Sequence, residues 1–284
     1  MTAPHELTFA EAIDVIEIDG DHFRGRYPGW NGYPRVFGGV VLAQAISAAV
    51  ATVEGPKVPN SLHGVFLRPA TPGDTAELHV ERVRDGRSFS TRQVTSVVGG
   101  KETSRFVVSF RAPEVSGGYQ LAMGSAQAPT GRPTSPDQLP FEVIELGSSG
   151  PSPDGTYEWT RRAWIRSVAR MAPTPGFQTA ALAYASDITM MAFQPGAELV
   201  DDDSGDASLD HALWFHRPSD LRDWHLFELR CVSISSACST VQGTIHAADG
   251  RLVASMAQEL LIRPNLAGTI VRAEGRWTPE QGPA

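Results

Sequence analysis

PGFQTAALAYASDITMM, residues Pro175 to Met191, is the stretch whose reading decides the fold. Phe177, Ala180, Ala181, Tyr184, Ile188 and Met191 recur at intervals of three and four, the period of a helix with one face in a core. Asp187 falls inside that pattern. An ionised carboxylate in an apolar setting is costly unless it is paired or hydrogen-bonded. Two readings stay open: the acid sits on the solvent edge of an amphipathic helix, or it is buried because chosen neighbours make it a useful base.

Working outward, a second uncharged run, VVLAQAISAAVATV from Val40 to Val53, follows Phe37-Gly38-Gly39. It is rich enough in alanine to prefer helix, and a helix apolar nearly all round is a buried one. The glycine pair before it permits a close backbone approach. Each helix is followed by β-rich runs. After the first come Ser61 to Leu67, Ala76 to Val83, Ser88 to Val98 and Thr103 to Phe110; after the second come Ser208 to Phe215, Leu226 to Val232, Ser239 to Ala247 and Leu252 to Ile262. Asp85-Gly86, Gly99-Gly100 and Asp249-Gly250 supply hairpin turns. In the strand from Ala76, Leu78 and Val80 alternate with Glu77, His79 and Glu81, one face for the core and one for water.

Landmarks recur in the same order. Phe66-Leu67-Arg68-Pro69 matches Phe215-His216-Arg217-Pro218, Gly100-Lys101 matches Gly250-Arg251, and Arg111-Ala112-Pro113 matches Arg263-Pro264, all at an offset of roughly 150 residues. The expected architecture is α+β: two tandem copies, each a long helix against a curved antiparallel sheet, related by a pseudo-twofold axis. The expected division is 1–115, a Pro/Gly-rich linker 116–156 along the surface with one short element at Phe141 to Leu146, and 157–284 ending in a short tail.

A net charge of -8 and a pI near 5.5 argue against binding nucleic acid or an anionic membrane surface. An anionic ligand would need a local basic cluster. Arg84, Arg87 and Arg92 near one turn are candidates, or ordinary surface arginines. The acidic first twenty residues carry no signal sequence, and no apolar run is long enough to span a bilayer. No membrane insertion and a cytoplasmic location are expected. Cys231 and Cys238 read as small hydrophobes on one strand, pointing to opposite faces and unable to pair. Asp201-Asp202-Asp203, in the loop from Gln194 to Asp206, reads as a solvated loop because it lacks the spaced ligands of a calcium site.

The chain has no G-x-S-x-G, H-E-x-x-H, P-loop or G-x-G-x-x-G motif, which sets aside serine hydrolases, zinc hydrolases, kinases and dinucleotide enzymes. What remains is polar residues in apolar patterns. Gln258 shares its parity with Leu252, Ala254, Met256, Leu260 and Ile262 and projects from the apolar face of its strand. Ser208 opens the strand after the long loop. Asp187, Ser208 and Gln258 stand one per element on segments that should meet at the second helix. Together they could hold one water, the acid taking its proton while hydroxyl and amide fix its position. Each alone also suits a structural role. Such a site needs neither a metal nor an organic cofactor.

Arg35-Val36-Phe37-Gly38-Gly39, Phe66-Leu67-Arg68-Pro69, Arg84-Asp85-Gly86-Arg87-Ser88-Phe89-Ser90, Tyr184-Ala185-Ser186-Asp187 and Asp210-His211-Ala212-Leu213-Trp214-Phe215-His216-Arg217-Pro218 resemble the acyl-CoA thioesterase II family, in order and similarly spaced from about Phe23 to Pro264. The resemblance implies a double hot dog fold and hydrolysis of acyl-CoA to a free acid and CoA, with a homo-oligomer favoured. It maps the family's catalytic Asp, Thr and Gln onto Asp187, Ser208 and Gln258. Serine for threonine keeps the hydroxyl but loses the methyl that restricts its rotamer. Asn60 stands where the family often has histidine. Two other readings compete. One is an acyl-CoA-binding protein with little or no activity. The other is a hot dog hydratase or dehydratase, whose histidine would fall at Ala192. The motif alignment also sets Ser47 opposite Asp187, which leaves the first copy without an acid and the chain with one site.

Overall fold

The quoted stretch forms a helix of 17 residues, and a second helix lies against it. The structure, a computed structural model, describes residues 7–29, 35–125, 129–134, 140–151, 157–191, 207–261, 269–271 and 277–279. In chain order the elements are α1 (Phe9–Ile13), β1 (Ile16–Asp19), β2 (His22–Arg26), α2 (Gly38–Ala51), β3 (Val58–Phe66), β4 (Thr75–Asp85), β5 (Phe89–Val98) and β6 (Lys101–Arg111). They continue with β7 (Phe141–Pro151), β8 (Tyr157–Ser167), α3 (Pro175–Met191), β9 (Ala207–Ser208), β10 (Asp210–Phe215), β11 (His225–Ser235), β12 (Cys238–Ala247) and β13 (Leu252–Leu261). A separate small hairpin joins β14 (Thr269–Val271) to β15 (Trp277–Pro279).

One antiparallel sheet carries the rest, in the order β1-β2-β4-β5-β6-β3-β10-β13-β12-β11-β8-β7, with β9 paired to β13. The order is the same read inward from either edge: two strands, then three consecutive ones, then at the centre the strand that precedes those three in the chain. β3 and β10 meet at the centre, Leu62 opposite Leu213. Phe66 closes β3 as Phe215 closes β10, and the turn glycines Gly100 (φ 76) and Gly250 (φ 86) precede β6 and β13. Inward residues Leu62, Phe106, Val108, Leu213, Ala254 and Met256 form the apolar face on which α2 and α3 lie.

The two helices run antiparallel in close contact. A Cβ on Gly39 would fall 2.7 Å from the main-chain oxygen of Tyr184, and one on Gly176 would fall 2.8 Å from Val50 Cγ1. Two glycines, one near the start of each helix, thus set the interhelical approach. Ala180 to Thr189 is buried without interruption. Of the residues that recur at three and four, Phe177 and Tyr184 pack on Phe9 of α1, and Tyr184 also on Phe37 and Phe141, while Ser186 and Asp187 reach His211 and Gln258 of the sheet. The solvent-edge reading of Asp187 is therefore overturned: it is 2% exposed. Each helix end is met by a buried arginine from the sheet rather than by a basic residue of its own last turn. Arg92 donates from Nη2 to Thr52 O (3.0 Å) and from Nε to Thr52 Oγ1 (2.8 Å), and pairs with Asp85. Arg161 donates to Thr189 O (2.7 Å) and pairs with Glu145. Arg92 is thereby committed to the core, 1% exposed, and is withdrawn from the candidates for holding phosphates.

Two further expectations change. The strand begun at Phe141 runs to Pro151 and pairs with β8, so residues 141–151 of the expected linker are sheet. Glycine and proline disguised it; they are tolerated because β7 is an edge strand, with a register shift at Gly147. Before it, the segment crosses the outside of β11 to β13. Gln120 bonds Gly250 O and Leu252 N–H, Arg162 bonds Ser125 O, and Met123 packs on Ile144, Trp164 and Leu226. The cysteines lie on two strands of one hairpin, half-buried and unpaired, because Ser236 (φ 52) and Ala237 (φ 61) make a tight turn without glycine. The acid run 201–203 lies outside the described residues. Among those residues no helix is long and apolar enough to cross a membrane, and no group of three or more His, Cys, Asp or Glu is placed to hold a metal.

Candidate active site

Gln258 is the hub. Its Nε2 donates to Ser208 Oγ (2.5 Å) and to Asp187 Oδ1 (3.3 Å), so the three residues singled out from the sequence meet at one amide. β13 carries Gln258 inward beside Met256 and Leu260, as its parity predicts. Ser208 reaches the same point by a less regular route. Register between β10 and β13 runs Ala212↔Ala257 to Phe215↔Ala254, whereas β9 pairs Ser208 with Leu260, a slip of one residue. The extra residue, Leu209, turns Ser208 onto the inward face. The Asp210 carboxylate holds this bulge by accepting the main-chain N–H of Glu259 at 2.6 Å.

Asp187 comes from the last turns of α3 and faces the first turn of α2. A Cβ on Gly38 would lie 2.7 Å from Asp187 Oδ2, and the main-chain N–H of Gly39 donates to the carboxyl. Phe66 walls the same spot, 3.3 Å from that Cβ position. Burial pushes the Asp187 pKa up to about 6, against the lowering effect of the Gln258 amide and the Gly39 N–H. The carboxyl is thus ionised near neutral pH yet basic enough to accept a proton, as a general base requires. Tyr184, one turn earlier on α3, is raised by burial and then by the Asp187 charge, and stays protonated.

His211 is the residue the sequence reading missed. It is fully buried, with Nδ1 2.6 Å from Gln258 Oε1 and Nε2 2.9 Å from Ser186 Oγ. Burial pushes its pKa down to about 4, so the ring is neutral at physiological pH. The signal was present: His211 shares its parity with inward Leu213 and Phe215, the same test that picked out Gln258. Of these four residues Ser208 alone is not fully buried.

Ser47, which the motif alignment sets opposite Asp187, donates from Oγ to Ile13 O (2.8 Å), and the side chain that meets the Gly176 Cβ position is Val50. Helix α2 contains no acid at any position.

A family profile described as "Acyl-CoA thioesterase N-terminal domain" matches residues 27–111, and one described as "Acyl-CoA thioesterase C-terminal domain" matches 121–262. "Acyl-CoA thioesterase 2" of Haemophilus influenzae is 30% identical over 273 residues, covering 88% of this chain and 95% of that protein. Human "Acyl-coenzyme A thioesterase 8" is 28% identical, covering 88% of this chain and 87% of that protein. The crystal structure of acyl-CoA thioesterase II TesB2 from Mycobacterium marinum superposes with a TM-score of 0.77 at 30% identity, covering 89% of this chain and 97% of that one. A hot dog protein from Alicyclobacillus acidocaldarius, 18% identical, shares the fold with a TM-score of 0.73 over 91% of this chain and 98% of its own. Both profiles, matched in order across most of the chain, together with a relative of this identity aligned over nearly its whole length, establish that the chain belongs to the acyl-CoA thioesterase family.

Proposed function

We propose that the chain hydrolyses acyl-CoA thioesters to the free acid and CoA, using a water held by Asp187, Ser208 and Gln258. The observation that carries this is the single amide nitrogen of Gln258 within reach of both Asp187 Oδ1 and Ser208 Oγ. Ser208 accepts from that nitrogen, which leaves its own hydroxyl proton free to donate to a water. Asp187 takes a proton from the water as its oxygen attacks the thioester carbonyl. The tetrahedral intermediate then expels CoA as thiolate, and the proton on Asp187 passes to the sulfur or to solvent. In the first turn of α2 the Gly39 N–H is taken by the Asp187 carboxyl and the Val40 N–H by Phe37 O, so we assign the developing oxyanion to the main-chain N–H of Gly38.

We also read the chain as two copies of one hot dog unit, on the mirrored strand order and the matched landmarks, with the acid present only in the second. One site per chain follows. The approach of Gly38 to Asp187 makes the N-terminal unit part of that site rather than a spare.

A single turnover in oxygen-18 water, with thiol release followed alongside, tests the mechanism. The product acid is expected to carry the label and the protein none. Label recovered on Asp187 would instead mean attack by the carboxylate through an anhydride, and no thiol release from any of a panel of acyl-CoAs would point to a binding protein. Ser208→Ala is expected to lower kcat about tenfold by removing one of the groups that orient the water. Ser208→Thr, which restores the family's residue, should stay near the parent rate; steady-state kinetics on both variants checks this.

A further inference from the structure

We infer that His211 is a positioning residue that fixes which end of the Gln258 amide faces Asp187 and Ser208. The inference rests on the thioesterase reading above. A glutamine amide has two ends of nearly equal shape, and nothing in its own chemistry sets which faces which neighbour. Turned over, Gln258 would aim its oxygen at the Asp187 carboxylate and lose both N–H contacts.

His211 opposes that rotation with Nδ1 2.6 Å from Oε1. The contact requires the proton on Nδ1, because the amide oxygen can only accept. In the neutral ring Nε2 then carries a lone pair inside a fully buried site and needs a donor. Ser186 Oγ, 2.9 Å away, is the group that can supply one. That hydroxyl also lies 2.7 Å from Ala183 O, a carbonyl positioned to accept the helical N–H of residue 187, so its single proton is worth more at the ring. Donation then runs one way: Ser186 to His211, His211 to Gln258, and Gln258 to both Asp187 and Ser208.

The reverse pattern is also self-consistent. It puts the ring proton on Nε2, the Ser186 proton on Ala183 O, and the amide turned over, but then Gln258 Oε1 meets Asp187 and only a protonated carboxyl can donate to it. Amide orientation and carboxyl protonation are therefore coupled through His211. No other charged side chain intervenes among the described neighbours. Asp187 is faced by Tyr184 from α3, Ser208 from β9, His211 from β10, Gln258 from β13, Phe66 from β3 and the Gly39 N–H from α2.

The test compares His211→Leu with His211→Asn, whose amide nitrogen can replace Nδ1. His211→Leu is expected to lower kcat about tenfold with KM little changed, and to move the acid limb of the pH profile upward as the loosened amide favours the protonated carboxyl. His211→Asn should recover most of the lost rate with the limb back in place. Equal loss in both variants, or loss with an unmoved limb, means a packing role and overturns the inference. Nitrogen-15 histidine spectra of the unaltered protein give a second readout that needs neither turnover nor a variant that folds. The expected result is a neutral His211 with Nδ1 protonated at pH 8, and the Nε2–H tautomer there would overturn it. Lack of hydrolysis by the parent protein would count against the thioesterase reading, and the spectra would still decide the tautomer.

Discussion

Asp187→Asn is expected to lower kcat for acyl-CoA hydrolysis by about a thousandfold or more, at the upper end of what a positioned base contributes. Asparagine has the shape of aspartate but cannot take a proton from water. Its oxygen can still accept from Gln258 or from the Gly39 N–H, so the walls of the site stay where they are and KM should change little. In the parent protein kcat should climb as pH rises through about 6, where the buried carboxyl ionises. Steady-state kinetics from pH 5 to 8 on both proteins checks the rate and the limb together. A variant that retains more than a tenth of the parent rate would remove Asp187 from the role of base.

The same carboxyl costs stability once it is ionised. Its pKa is 3.8 as a free group and about 6 when folded, so between those values the folded chain holds a proton that the unfolded chain has released. Stability from this residue is therefore undiminished below pH 4 and falls as pH rises toward 6. Above that the cost is constant at roughly 3 kcal/mol. Asp187→Asn lacks this slope. Urea midpoints of the parent protein and the variant should converge or cross between pH 8 and pH 4, because every other titrating group cancels in the comparison. Parallel lines would mean that the carboxyl is not raised. The acid is thus held at a cost to the fold, which a purely structural side chain would not require.

Much of this site was legible in the sequence, for reasons that differ from residue to residue. Gln258 was visible because a strand has a strict period of two, and one polar side chain on the apolar parity stands out. Asp187 was only half visible: helical periodicity finds one apolar face, here the one with Tyr184 against Phe9 and Phe37, but does not foresee that elements distant in the chain, β13 and α2, cover the side that carries the acid. Ser208 has the wrong parity relative to His211, and only the bulge at Leu209, held by Asp210, brings both to the same face. Strand alternation cannot foresee such a bulge. The hairpin turn at Ser236-Ala237 hid for a related reason, since neither residue is one that positive φ normally selects.

The glycine pair at the start of α2 yields the second large effect. Gly38→Ala would set a methyl 2.7 Å from Asp187 Oδ2 and 3.3 Å from Phe66 Cζ. The carboxyl is tethered by Gln258 and by the Gly39 N–H, so it can yield only by breaking one of them, and a displacement of this kind costs about a hundredfold in rate. Gly39→Ala fails differently. Its methyl would lie 2.4 Å from a Phe37 ring carbon and 2.7 Å from the main-chain oxygen of Tyr184, and a backbone atom has nowhere to go. Alanine favours helix over glycine by about 1 kcal/mol, but forcing two packed helices apart costs about 1–3 kcal/mol and separates Asp187 from α2, so the net effect is destabilising and activity falls with it. Gly176→Ala is the control at the matching place on α3: its methyl meets only side-chain carbons of Val50, far from the carboxyl, and the rate should hold. Thermal midpoints and kcat for the three variants separate the causes. Loss of rate without loss of stability in Gly38→Ala, and loss of both in Gly39→Ala, is the expected pattern. Near-parent activity in Gly38→Ala would mean that α2 does not crowd the acid, and the N-terminal half would have no part in the site.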